Sequence, residues 1–244
     1  MNKTILQSVT NRAFFVVFVA LSTTTTPSAE AEPSPTPKSA VFVNLQSKAN
    51  QKLTDSMHGL RGNDLAELPK GEQTFAGVRF KVEDSYLRLS GTIEMGGAPK
   101  KPAALEGIPI DKSFTRLHIL HGTHYGAFGK AGETLFVKDG TPIGEYRLRY
   151  EDGTTKSIPI VYGEDVRDWW VWDKPAEVTR GKIAWVGKNA FSKEQNQTIR
   201  LYFTSWNNPH PEKKVSSFDY VCNGTSAAAP FCVAISLEQN SQGN

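Results

Sequence analysis

The sequence predicts an all-β protein that folds as a two-layer antiparallel β-sandwich. From Ala40 onward the chain consists of short runs rich in β-branched and aromatic residues, separated by turns that contain Gly, Pro and Asn. One pair of runs, on either side of Asp152-Gly153, has the complete pattern of a hairpin. Helical periodicity is weak, and only a short helical turn fits, within residues 50–68. About ten strands at this spacing bury their apolar faces most simply between two packed sheets.

The N-terminal residues predict an export signal. Lys3 and Arg12 precede the apolar run from Ala13 to Leu21, and Ala29-Glu30-Ala31 fits a small-x-small cleavage site. The apolar run is shorter than the about 20 residues that span a bilayer. We therefore expect residues 1–31 to be a signal peptide. The mature protein is expected to be secreted, either extracellular or periplasmic, with no insertion into a membrane.

A proline-rich lead-in, residues 32–39, is expected to precede a single β-sandwich domain at residues 40–240. Loss of Lys3, Arg12 and Glu30 with the signal peptide lowers the formal charge from +3 to +2. Nucleic-acid binding proteins typically carry a basic stripe, which this balanced chain lacks. The composition therefore argues against a nucleic-acid partner.

The strands are predicted one after another along the domain. In order they are residues 41–46, 77–82, 86–89, 107–110, 116–120, 134–137, the hairpin 143–162, then 182–186, 199–206, 215–222 and 231–237.

The hairpin gives the most detailed local prediction. Tyr146, Leu148 and Tyr150 alternate with charged residues, as in a strand with one buried face. Asp152-Gly153 supplies the turn, and Pro159 indicates that the returning strand lies at a sheet edge or bends, because proline cannot donate to a ladder.

The two cysteines, Cys222 and Cys232, have nine residues between them and lie in neighbouring predicted strands. In an exported protein, an even number at short spacing favours a disulfide. We predict a cross-strand bridge between them. The alternative is a pair of buried free thiols.

The segment after the hairpin combines acidic, basic and indole side chains, which is typical of a sugar-binding surface. Trp169 and Trp172 would provide a stacking platform. Asp165, Arg167 and Asp168 would bind sugar hydroxyls, and His124 and Tyr125 would line the rim. In the alternative interpretation, Trp170 fills the core and the charged residues pair with each other.

Enzymatic and metal signatures are weaker. The histidines His118, His121 and His124 do not share one face of a strand, and no HExxH or Cys-His spacing selects a zinc site. No GxSxG elbow or phosphate-binding loop is present. Asp165 and Asp168 are the carboxylates that a glycosidase could use.

Several segments resemble a family of uncharacterised secreted β-sandwich domains with a galactose-binding-like jelly-roll architecture. They include VNLQSKANQKLTD, LPKGEQTFAGVRFKV, RLHILHGTHYG, GEYRLRYEDGT, IPIVYGEDVRDWW and the closing AAAPFCVAISLE. The resemblance covers Val41 to Glu238 and implies a jelly roll, but it supplies no catalytic residues. A structural calcium occurs in such folds, and oxygen ligands are available in Asn50, Asp55, Asn63, Asp64 and Glu238.

The sequence therefore predicts a secreted, non-catalytic carbohydrate-binding module without a required cofactor, whose partner is a polysaccharide or oligosaccharide. One alternative is a polysaccharide hydrolase or lyase that uses the loop carboxylates with His121 or His124. Another is a structural or adhesive surface domain.

Overall fold

A computed structural model describes residues 40–93, 100–128, 134–135, 137–171 and 177–239. The strands are β1 (Ala40–Phe42), β2 (Gln51–Lys52), β3 (Gly71–Phe75), β4 (Val78–Val82), β5 (Ser85–Arg88), β6 (Ala104–Lys112), β7 (Arg116–His124), β8 (Ala127–Phe128), β9 (Thr134–Leu135), β10 (Pro142–Tyr150), β11 (Thr155–Val161), β12 (Trp170–Val171), β13 (Lys182–Gly187), β14 (Thr198–Asn207), β15 (Val215–Cys222) and β16 (Ala229–Glu238). A short helix, α1, spans Ala190–Glu194.

Two antiparallel sheets form the body of the molecule. The larger has eight strands in the order β12-β14-β7-β16-β5-β2, with β1 added to β16 and β13 added to β14. The smaller has four strands in the order β11-β10-β15-β6. Two short hairpins, β3-β4 and β8-β9, complete the described strands. The prediction of an all-β protein with antiparallel, sandwich-like sheets is therefore confirmed.

The main core is formed by side chains from both sheets. Leu117 and Ile119 of β7 belong to the same buried cluster as Leu148 of β10 and Phe218 of β15. Alternate residues of these strands point to the same face, so one face of each sheet supplies this core.

A second buried cluster covers the other face of the larger sheet. Leu120, Phe203 and Phe231 of that sheet join Met57 and Phe80, which come from the preceding loop and from hairpin β3-β4. Because the larger sheet is covered on both faces, β7 and β16 are buried at almost every position, without strict alternation. The sequence predicted two layers and did not reveal this additional cover.

The hairpin β10-β11 agrees with its prediction in detail. Arg149 pairs with Thr155, and Gly153 has a φ of 83°, a backbone angle that glycine adopts readily. β11 lies at the edge of its sheet, where Pro159 is tolerated. The helix was not predicted where it occurs, since residues 50–68 contain turns and β2 instead.

The predicted disulfide is not present, because Cys222 and Cys232 are both free and buried. Cys222 ends β15 in the smaller sheet, and Cys232 lies in β16 of the larger sheet. The two strands are neighbours in sequence but do not pair with each other, so the two cysteines do not stand opposite each other on paired strands.

The expected signal peptide (1–31) and lead-in (32–39) lie outside the described residues. Within the described ranges, no helix has the length and apolar character needed to cross a membrane.

Candidate functional site

A cleft of about 250 Å³ opens between the two sheets at the edge formed by β11. The apolar part of its lining includes Ile119 from β7 and Ile158 and Ile160 from β11. Its polar and aromatic residues come from both sheets and from the loops that follow β11: His121, Tyr146, Asp165, Arg180, Thr204, Ser205 and Trp206. A concave space lined by apolar groups and a few directed polar groups is typical of a small-ligand site.

His121 lies at the inner end of this cleft. Its Nδ1 is 3.3 Å from the hydroxyl of Tyr146, and its Nε2 is 3.2 Å from Oγ1 of Thr204. Burial lowers the pKa of His121 to about 4, because the charged imidazolium loses its hydration. The imidazole is therefore neutral at pH 7, with one ring nitrogen donating and the other accepting.

An ion pair between Asp165 and Arg180 lies beside the histidine. Arg180 Nε donates to Asp165 Oδ1 over 2.7 Å, and the backbone N–H of Val161 donates to Oδ2 over 2.7 Å. A Cβ on Gly181 would lie 2.4 Å from the carbonyl oxygen of Asp165, so only glycine fits next to the pair. These contacts hold the loop after β11 against the cleft and leave the Asp165 carboxylate engaged by several donors.

Trp206 is the aromatic side chain of the cleft. It lies near the end of β14, on the same strand face as Thr204, and it pairs across the sheet with Leu117. Its side chain packs against the main core while part of the ring remains in contact with solvent. A half-buried indole in this position can stack on an apolar face of a ligand.

The described residue of the predicted tryptophan platform, Trp169, lies inside the protein, as does its neighbour Trp170. Trp169 is 1% exposed and Trp170 is 6% exposed, and both belong to the cluster on the outer face of the larger sheet. Trp169 is therefore a core residue and not part of an exposed platform. Trp170 is also in the core, as the alternative interpretation expected. Trp172 lies outside the described residues.

The polar residues that were predicted to bind sugar lie in different parts of the structure. Only Asp165 lines the cleft. Arg167 is bound through two nitrogens to Asp139, with distances of 2.8 and 2.7 Å. Asp168 accepts from the backbone N–H groups of Gly126 and Trp170, and burial raises its pKa to about 6. Arg167 and Asp168 therefore fix the loop.

His124 and Tyr125 are buried and do not form a rim. The His124 ring stacks on Phe231 at 4.7 Å and meets His58 edge-on at 5.2 Å. Neither ring nitrogen of His124 has a hydrogen-bond partner among the described residues. Burial holds the pKa of His124 well below its usual value, so the side chain acts as a neutral aromatic group.

The metal-ligand candidates are dispersed. Asn50 bonds to the backbone of Arg88, Asp55 accepts from the backbone N–H of Lys52, and Asn63 accepts from Asn189. In the part of the chain that the structure describes, no three His, Cys, Asp or Glu side chains group together as a metal site would require. Asn50, Asp55 and Asn63 are instead engaged in hydrogen bonds within the protein, and Glu238 pairs with His118.

Five polar or aromatic residues of the cleft were not predicted from the sequence: Tyr146, Arg180, Thr204, Ser205 and Trp206. Tyr146 and Trp206 were recognised as strand residues, and their alternation indicates that each has a buried face. Their convergence depends on the packing of β10 against the β7-β14 pair, and β7 and β14 are about 80 residues apart in sequence. No local pattern carries that information.

Comparison of the chain with known protein families, curated proteins and solved structures finds no match.

Proposed function

We propose that this protein is a carbohydrate-binding module, that its ligand occupies the cleft between the sheets, and that the cleft itself is non-catalytic. The observation that carries the proposal is the half-exposed ring of Trp206 beside the buried polar group of His121, Tyr146 and Thr204. Sugars present an apolar ring face and a belt of hydroxyls. A single indole together with neutral donors and acceptors complements both features.

The state of the polar groups favours binding over catalysis. A general acid or base needs a titratable group whose pKa lies near the working pH. The pKa of His121 is lowered to about 4, and Asp165 is held by Arg180 and a backbone N–H. Both groups are suited to holding fixed hydrogen bonds.

The proposal also concerns the type of β-sandwich and the location of the protein. We infer that the sandwich is a galactose-binding-like jelly roll and that the protein is exported. The resemblance of the sequence segments and the charged and apolar pattern of residues 1–31 support this. A polysaccharide or oligosaccharide outside the cell is then the partner.

Affinity electrophoresis tests the proposal. The wild-type protein is run through gels that contain xylan, galactan or alginate. We expect retardation by at least one of them, with a Kd for its oligosaccharide in the micromolar to millimolar range, because a shallow site orders few groups.

Two variants of similar burial locate the site. Trp206→Ala should abolish the retardation, whereas Trp185→Ala should retain it. Trp185 is also half-buried, but it lies on β13 and packs against the outer cluster. Equal retardation of wild type and Trp206→Ala would overturn the assignment of the cleft. Absence of retardation by every polysaccharide would count against carbohydrate binding.

A further inference from the structure

Three side chains from three adjacent strands form a connected polar row on the larger sheet. Ser205 of β14 pairs across the sheet with His118 of β7, and β7 pairs on its other side with β16, which ends at Glu238. Ser205 Oγ lies 2.6 Å from Nδ1 of His118, and Nε2 of His118 lies 3.0 Å from Oε1 of Glu238. The Ser205 side chain is on the outer face, because Phe203, two residues earlier on the same strand face, belongs to the outer cluster; Ser205 also borders the cleft at its edge.

The chemistry of Glu238 fixes the direction of these hydrogen bonds. A carboxylate only accepts, so Nε2 of His118 carries the proton and donates it to Glu238. In the neutral imidazole Nδ1 is then the acceptor, and the Ser205 hydroxyl donates to it. A serine hydroxyl bonded to the lone pair of an imidazole nitrogen, with a carboxylate behind the imidazole, is the arrangement that activates a nucleophile.

The serine of the row is exposed, and the histidine and the carboxylate behind it are mostly buried. Ser205 is exposed, whereas the side chain of His118 is only 6% exposed and that of Glu238 is 21% exposed. The nucleophile can therefore meet a substrate while the base and its carboxylate are held inside the sheet. All three stand on strands, which limits their movement.

A positive charge stands beside the row. Arg116 is two residues before His118 on the same strand face, and its Nη1 lies 3.8 Å from Oε1 of Glu238. Its Nε donates to Oδ1 of Asn207 over 2.8 Å, which fixes the guanidinium. Such a cation can stabilise negative charge on a carbonyl oxygen that is attacked next to it.

We propose that Ser205, His118 and Glu238 form a second site that hydrolyses small carboxylic esters through an acyl-serine intermediate. Ser205 Oγ bonds to the ester carbonyl carbon while its proton moves to Nδ1 of His118. The bond to the alcohol oxygen then breaks, and the alcohol leaves with that proton. The exposed position of the serine favours a small acyl group such as acetyl.

Deacylation reverses the proton path. Water attacks the acyl carbon and gives a proton to Nδ1 of His118, the bond to Ser205 Oγ breaks, and Oγ recovers the proton. The net reaction converts ester and water into acid and alcohol. The Nε2 proton remains on His118, bonded to Glu238, throughout. Ser205 also borders the carbohydrate cleft, but this activity is argued from the contacts of Ser205, His118 and Glu238 and does not depend on the proposed binding function.

Covalent labelling tests the proposal directly. The full chain is incubated with a fluorophosphonate, and the modified residue is identified by peptide mass spectrometry. We expect one adduct, on Ser205. Absence of an adduct on Ser205 under conditions that label a known serine esterase would overturn the proposal, and this result does not depend on the folding of any variant.

Hydrolysis of p-nitrophenyl acetate supplies the second measurement. Ser205→Ala should reduce the rate to the level of free imidazole, and Glu238→Gln should reduce it at least tenfold. Ser236→Ala is the matched control. Ser236 lies on β16 and pairs with His118 on the side away from Ser205, but it is only 1% exposed and cannot meet a substrate. Its replacement should therefore leave the rate of hydrolysis unchanged. Equal rates for wild type and Ser205→Ala would contradict the assignment.

Discussion

His121 determines the charge inside the cleft. Its two ring nitrogens are bonded to Tyr146 and Thr204, and its lowered pKa keeps the ring neutral. A neutral imidazole can serve as both donor and acceptor, so the inner end of the cleft is suited to an uncharged polar group. At the residue scale, this favours a sugar hydroxyl at that position.

The two cysteines provide a residue-scale prediction. Burial raises the pKa of Cys232 to about 12 and also raises the pKa of Cys222, so neither thiol forms the reactive thiolate in the folded protein. At pH 8 without reductant, we expect iodoacetamide to add slowly to the native protein and to add twice after unfolding in guanidinium. Intact mass spectrometry reads the number of additions. An unfolded protein that accepts label only after reduction would show that the thiols are bridged.

The helix α1 connects elements that are distant in sequence. Asn189 caps it by accepting from the backbone N–H of Ser192, and Nδ2 of Asn189 donates to Oδ1 of Asn63 and to the carbonyl of Asp64. Phe191 and Trp170 meet edge-on at 5.7 Å on the same side. The cap therefore joins α1 to the loop that covers the larger sheet.

Removal of this cap gives an element-scale prediction. Asn189→Ala should lower the free energy of unfolding by about 1–3 kcal/mol, because it removes the cap and leaves buried polar partners unsatisfied. Urea denaturation measures the change. Lys188→Ala, at the exposed neighbouring position, is the control and should change stability little. Similar losses in the two variants would show that the cap is not what stabilises this region.

Local elements could be predicted from the sequence, whereas contacts between elements could not. The hairpin β10-β11 follows from alternation and from Asp152-Gly153, which act over a few residues. The residues next to Trp169 in the sequence do not show whether its side chain faces solvent or the core. Its burial depends on the cover formed by residues 53–82, which no neighbouring residue encodes. The predicted disulfide was wrong for the same reason, because β15 and β16 follow each other in sequence but belong to different sheets.

At the scale of the whole molecule, three mostly buried histidines are neutral in the folded protein at pH 7 and become protonated when the protein unfolds in acid. The pKa values of His58 and His121 are lowered to about 4, and that of His124 is also lowered well below its usual value, mainly by burial. Between pH 6.5 and 4 the unfolded chain binds protons at these positions that the folded protein does not bind. The stability that they provide is therefore present above pH 6.5 and lost as the pH falls towards 4. Asp168, with its pKa raised to about 6, acts in the opposite direction but is a single group.

We therefore expect the free energy of unfolding to decrease as the pH falls from 7 to 4.5. Each unit of difference in pKa between the folded and unfolded states is worth about 1.4 kcal/mol. Urea denaturation at several pH values measures the slope. His121→Gln should make the slope shallower, and His210→Gln, at an exposed position, should leave it unchanged. A slope that is identical in wild type and His121→Gln would show that His121 is not buried as described.

The central claim for the whole molecule is that the ligand enters between the sheets and contacts Trp206. The five tryptophans give five indole N–H signals in a ¹H–¹⁵N spectrum, so one titration examines them together. The titrant is an oligosaccharide from whichever of xylan, galactan or alginate retards the protein. We predict that the Trp206 signal shifts progressively while the signals of Trp169 and Trp170 stay in place. A shift of Trp169, Trp170 or Trp172 with no change at Trp206 would contradict the account and return the site to the loop after the hairpin.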